Sequence, residues 1–134
     1  MKKIYSLLTA LFMASNVMAA ADAPVETLDS GVKVQKMKTT QGPSPRASDV
    51  VKVHYRGTLQ DGTEFDSSYK RGEPTTFPLS RVIPCWTQAV QRLKVGEKAK
   101  LFCPAKTAYG ERGAGGVIPP NSDLNFEVEL LGIQ

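Results

Sequence analysis

Val50-Val51-Lys52-Val53-His54-Tyr55-Arg56-Gly57-Thr58-Leu59 is the stretch on which the fold turns. Val51, Val53 and Tyr55 fall on one face, while Lys52, His54 and Arg56 fall on the other. A period of two is the pattern of a strand with one buried side. Asp61-Gly62 then marks a turn, and Thr63 to Asp66 begins a second strand. Thr75 to Leu79 is short, apolar and β-prone. Lys98 to Cys103 alternates again, and Leu124, Phe126, Val128 and Leu130 share one face of a last strand. Upstream, Val32, Val34 and Lys36 alternate with polar neighbours and suggest an edge strand. Gln41-Gly42-Pro43-Ser44-Pro45 cannot continue a ladder and reads as a loop.

One helix interrupts this pattern. Pro84 suits a first helical turn, where its missing N–H costs nothing. Trp86, Ala89, Val90 and Leu93 follow at helical spacing as a single apolar stripe, and Gly96 is placed to end it. The expected fold class is therefore α+β: about five antiparallel strands in a twisted sheet wrapped around one short amphipathic helix. Ala105 to Ser122 is long and holds four glycines and a Pro-Pro pair. Loops of that length are often functional.

The first twenty residues read separately. Lys2 and Lys3 precede an apolar run from Ile4 to Ala14, and small residues follow at Ala19, Ala20 and Ala21, as in a cleaved signal peptide. The run is shorter than the roughly 20 apolar residues of a spanning helix, so no stable membrane anchor is expected. The division expected is a signal peptide over 1–20, a flexible tether over 21–30 and a globular domain over 31–134, exported to the periplasm or secreted beyond it. Without Lys2 and Lys3 the formal charge drops from +4 to +2, with 15 basic residues against 13 acidic. The remaining charges alternate in sign, which argues against nucleic-acid binding.

Cys85 and Cys103 are the chain's two cysteines, far from a redox C-x-x-C spacing. Cys103 shares a strand face with Leu101 and Ala99, and Cys85 opens the helix expected to cover that face. Two readings stand: a disulfide suited to an oxidising compartment, or two buried thiols acting as small hydrophobes. Closing a loop of ~15 residues stabilises by about 3 kcal/mol on the loop-entropy argument. No metal or cofactor site is expected, since the chain has one histidine and no phosphate-binding loop.

What remains is a scattered aromatic set: Tyr55, Phe65, Phe77, Trp86, Tyr109 and Phe126. Such residues can grip an apolar group and present a few polar atoms, but they do not supply a nucleophile. Several separated motifs within this set carry a resemblance. Val53-His54-Tyr55-x-Gly57-x-Leu59-x-Asp61-Gly62-x-x-Phe65-Asp66-Ser67-Ser68 resembles the first half of an FKBP-type peptidyl-prolyl cis–trans isomerase. Val82-Ile83-Pro84-x-Trp86, Val95-Gly96, Ala108-Tyr109-Gly110, Ile118-Pro119-Pro120 and Phe126-x-Val128-x-Leu130-Leu131 resemble the second half, in order. Val-Ile-Pro ahead of the tryptophan is most similar to the bacterial macrophage-infectivity-potentiator-like branch.

The resemblance implies a rotamase that eases rotation about X–Pro bonds in unfolded or partly folded exported polypeptides. Trp86 would form the pocket floor, with Tyr55, Phe65, Phe77, Val82, Ile83 and Phe126 around it. Tyr55, Asp66 and Tyr109 would be the catalytic polar groups, and the Ile83 N–H would meet a substrate carbonyl. Val117 and Ile118 would overhang from the long loop. Macrolides such as tacrolimus and rapamycin are implied ligands, and a monomer is implied because the branch's long dimerisation helix has no room here. Cys85, Thr75 and Ala114 depart from the residues usual at their positions: a glycine, an aromatic wall residue and, often, a histidine. A competing reading keeps the same pocket but makes it a holdase-type binding module with negligible turnover, and an oxidoreductase built on the two cysteines is disfavoured by their spacing.

Overall fold

The computed structural model describes residues 23–134, so the signal-peptide reading of 1–20 lies outside the described residues. Seven strands occur: β1 (Val25–Thr27), β2 (Lys33–Lys38), β3 (Val50–Leu59), β4 (Glu64–Ser67), β5 (Thr75–Pro78), β6 (Lys98–Cys103) and β7 (Leu124–Ile133). Two helices accompany them, α1 (Ser68–Arg71) and α2 (Pro84–Val90). All pair antiparallel in one sheet, ordered β1-β2-β6-β7-β3-β4, with β5 sharing the outer edge of β3. The α+β expectation holds, with seven strands where about five were expected.

The additional strand β1 corrects the sequence reading at the N-terminus. Val25, Glu26 and Thr27 pair with Gln35, Val34 and Lys33, so part of the segment expected to be a tether is ordered, and β2 is not the sheet edge. All three β1 residues are exposed, which is why no buried face announced the strand. β4 and β5 fall where Thr63 to Asp66 and Thr75 to Leu79 were expected to be β-structure. Residues 50–53 of β3 pair with β5 and residues 56–58 pair with β4. Between the two ladders the Tyr55 N–H donates instead to Ser68 Oγ at 2.7 Å.

The core is a single cluster. Val51, Val53, Tyr55, Ala99, Leu101, Phe126 and Val128 from the sheet meet Trp86, Ala89 and Val90 from α2. The helix stops at Val90, short of the expected stripe end, because the chain tightens: Arg92 N–H donates to Ala89 O and Leu93 N–H to Val90 O. Leu93 is still buried, but in a turn. Gly96 serves the next turn, with φ +95° and its N–H on Leu130 O at 2.7 Å. Cys85 and Cys103 are joined in a disulfide with Cα atoms 5.6 Å apart, which fastens the first turn of α2 to the end of β6. Of the two cysteine readings, the bonded one describes this structure.

The segment 105–122 is less irregular than its composition suggested. Single 3-10 turns occupy Ala105–Thr107 and Gly110–Arg112, and Ala114 bridges Ile118 around a tight reversal. Gly113 makes that reversal feasible. A Cβ there would lie 2.2 Å from Ile118 O, and its φ is +65°.

Candidate active site

Trp86 sits on the first turn of α2 with its indole directed into a ring of aromatic edges. Tyr55, Phe77 and Phe126 lie with ring centroids at 5.2, 5.3 and 5.4 Å and planes 80–87° from the indole. These are the edge-to-face arrangements that aromatic quadrupoles favour. Phe65 extends the wall through an edge contact to Phe126 at 5.7 Å. Gly57, on β3, permits that wall. A Cβ there would approach Phe65 Cζ to 2.6 Å and Phe126 Cε1 to 2.8 Å.

Above the indole lies an open cavity of about 420 Å³ lined by Tyr55, Phe65, Asp66, Phe77, Arg81, Val82, Ile83, Trp86, Tyr109 and Phe126. Nine of the eleven anticipated pocket residues are therefore brought together. Val117 and Ile118 are not: neither lines the cavity. Val117 is exposed at the tip of the reversal, and Ile118 turns inward as part of the core. The bridge between Ala114 and Ile118 sets this division, because adjacent residues beyond a tight reversal face opposite ways.

The polar side of the cup is one network. The Tyr55 hydroxyl donates to Asp66 Oδ2, Arg71 Nη1 reaches Asp66 Oδ1 at 2.7 Å, and Arg71 Nη2 lies 3.1 Å from the Tyr55 hydroxyl and 3.0 Å from Thr75 Oγ1. The Ser67 N–H also donates to Asp66, at 2.9 Å. Local structure explains how Arg71 arrives there. Ser67 caps α1 by accepting from the Lys70 N–H, and Gly72 closes it in the left-handed region at φ 77°, leaving Arg71 in the last turn beside the carboxylate. Thr75 thus contributes a hydroxyl to the network where an aromatic wall residue was the usual expectation.

The electrostatics follow. Burial opposes ionisation of Asp66, but the Tyr55 hydroxyl, the Arg71 guanidinium and the Ser67 N–H outweigh it and hold its pKa below the ordinary value. Burial first, and then the Asp66 contact, push the Tyr55 pKa up. Tyr109 is raised by burial and then by the Asp66 charge. At neutral pH the site presents a carboxylate and two protonated phenols. Trp86 Nε1–H and the Ile83 backbone N–H have no hydrogen-bond partner among the described residues. The latter is free because Ile83 is the N-cap of α2. His54 lies behind the site, stacked on Tyr69 at 4.6 Å with Nδ1 2.8 Å from Ser68 Oγ.

Sequence reasoning missed Arg71, Ser68 and Arg81. An arginine five positions after Asp66 across a Ser-Ser cap is a signal for the first. Nothing in the periodicity marks Arg81. Among the described residues no group of three or more His, Cys, Asp or Glu side chains gathers into a metal site, and no helix is long and apolar enough to cross a membrane.

The fold and the cup together define a small α+β domain with one aromatic-floored binding hollow. Residues 42–131 match the family model described as FKBP-type peptidyl-prolyl cis-trans isomerase, and the chain belongs to that family. It is 57% identical over 110 residues to FkpA of Aeromonas hydrophila, covering 82% of this chain and 41% of that one. It is 47% identical over 110 residues to the Mip isomerase of Coxiella burnetii, covering 82% and 48%. The chain thus spans less than half the length of these curated relatives. Among solved structures, Escherichia coli FkpA aligns at TM-score 0.79 and 42% identity over 94% of this chain and 57% of that one. A peptidyl-prolyl isomerase from Pseudomonas syringae aligns at TM-score 0.78 and 34% identity over 99% of both.

Proposed function

We propose that this chain is a working peptidyl-prolyl cis–trans isomerase acting on X–Pro bonds of unfolded or partly folded proteins. The observation that carries the reading is the open cavity over Trp86, walled by aromatic edges and bordered by an unpaired backbone donor at Ile83. Rotation about a peptide bond meets a barrier of ~18–20 kcal/mol because resonance must be broken. The planar amide is charge-separated and is stabilised by water, whereas the twisted amide has lost that separation. A dry aromatic cup therefore favours the twisted state. Binding that is tighter to the twisted amide than to either planar isomer lowers the barrier without a covalent step.

The polar groups fit this role as fixed dipoles. Asp66 is ionised and already engaged by Tyr55 and Arg71, so it shapes and charges one wall and has no proton to give. The Ile83 N–H and the Tyr109 hydroxyl are left to hold the substrate backbone while the ring rests on Trp86. Each tenfold in rate corresponds to about 1.4 kcal/mol of such differential binding. Uncatalysed, the step takes tens to hundreds of seconds.

The same cup would accept macrolides such as tacrolimus and rapamycin. The leader-like residues 1–20 support export, with the folded part working in the periplasm or outside the cell. N-terminal sequencing of the exported protein tests the leader. A protease-coupled assay on an Ala-Leu-Pro-Phe peptide tests the activity. The expected result is a rate proportional to protein and suppressed by tacrolimus. No rate above the uncatalysed one at micromolar protein refutes the proposal.

A further inference from the structure

The charges at the cup do not balance. Asp66 is occupied by Arg71 and Tyr55. Arg81 lines the same cavity, is exposed, and among the described residues has neither an ion pair nor a side-chain hydrogen bond. It ends the 3-10 turn Leu79–Arg81 and so stands two residues before Ile83, whose N–H is unpaired. Two residues of extended chain span about 6–7 Å. The free guanidinium is therefore within side-chain reach of the residue adjoining a proline seated on Trp86. Arginine is suited to this position because its planar fork meets a carboxylate with two parallel N–H donors.

We infer that Arg81 gives this chain a preference for prolines flanked by an acidic residue. The inference rests on the isomerase reading above and narrows it to a substrate class. A carboxylate next to the proline pairs with Arg81 at the rim, while the ring occupies the aromatic floor. Because the pair forms at an exposed rim, the effect is modest and salt-sensitive: about 2- to 5-fold in kcat/KM.

The test uses cis–trans exchange measured by NMR, which needs no protease and tolerates any residue beside the proline. Two peptide pairs built on Ala-Leu-Pro-Phe are compared, one with Glu or Gln before the proline and one with Glu or Gln after it. In at least one pair the Glu-to-Gln ratio of kcat/KM should be about 2 to 5 at low salt. It should approach one near 1 M salt, where the screening length is ~3 Å. It should also approach one in Arg81→Gln and fall below one in Arg81→Glu. Each ratio is internal to one protein, so a general change in activity cancels. Ratios of one for the natural chain in both pairs, or ratios unaltered in Arg81→Glu, overturn the inference while the isomerase reading survives. Failure to catalyse even the Gln peptides sinks the isomerase reading instead, and the acidic preference with it.

Discussion

Two hollows differ in the opposite sense from what size alone suggests. The cleft beside β1, lined by Glu26, Thr27, Leu28, Asp29, Ser30, Gln88, Gln91 and Arg92, holds about 660 Å³, against about 420 Å³ for the cup over Trp86. Yet several polar groups of the cleft are already paired with one another. Ser30 Oγ donates to Gln88 Oε1, and Arg92 Nε lies 3.5 Å from Glu26 Oε2. The cup has aromatic walls, a free backbone donor and one unpaired cation. A binding site is recognised by what it leaves unsatisfied, and the smaller hollow leaves more.

Substitutions on the two sides should separate them widely. Trp86→Ala removes a core side chain and the cup floor together, costing about 3–5 kcal/mol of stability and all measurable turnover. Trp86→Leu keeps more of the packing and isolates the loss of the floor. Gln88→Ala in the cleft loses one hydrogen bond, about 1 kcal/mol, and leaves turnover as it was. Urea melts alongside the protease-coupled assay check both. Equal loss of turnover in Trp86→Leu and Gln88→Ala would abolish the distinction.

The disulfide ranks next, since it fastens the base of α2, and so the cup, to the sheet. Replacing Cys85 and Cys103 together by alanine should lower unfolding free energy by about 3 kcal/mol on the loop-entropy argument. Reduction of the natural chain should shift the urea midpoint in the same direction. A midpoint unmoved by either treatment would mean that packing alone positions the helix. Smaller again is Gly57→Ala. Its methyl would press on Phe65 and Phe126 at distances no Cβ tolerates, so the wall must move, costing about 1–3 kcal/mol and lowering kcat/KM. Tyrosine and tryptophan fluorescence would register the displaced rings.

The cup was far more legible in the sequence than the cleft, and the reason is physical. Alternation in β3, β6 and β7 is written by burial, so Val53, Leu101 and Val128 announced their strands. β1 buries nothing: Val25, Glu26 and Thr27 are all exposed and pair through the ladder, and backbone pairing leaves no periodic trace. The aromatic wall was visible through the family motifs that carry it, since Tyr55 and Phe126 taken alone read as core residues of their strands. Val117 and Ile118 could not be placed from sequence, because the fold of the reversal sends one to solvent and the other into the core. Arg71 and Arg81 differ similarly, one tied to Asp66 and the other free, and only the fold separates them.

Acid offers the mildest perturbation and the finest test of the cup's polar side. Asp66 has a folded pKa below the ordinary aspartate value of about 3.9, so its contribution is present above that value and disappears as pH falls through the lower, folded one. Glu97 acts likewise. Its buried carboxylate accepts from the Thr40 and Lys94 N–H groups and pairs with Lys36 at 2.9 Å, which overcomes the cost of burial and lowers its pKa. Tyr55 and Tyr109 are raised above the ordinary phenol value of about 10, so they stay protonated until pH climbs past it. Turnover should therefore be level from about pH 5 to 9 and should decline only below about pH 4. In Asp66→Asn the acid decline in turnover should flatten from an already lowered plateau, while the acid loss of stability persists through Glu97. Turnover that stayed level down through about pH 3 in the natural chain, while Asp66→Asn lowered it, would mean that the side chain of Asp66 matters to the cup and its charge does not.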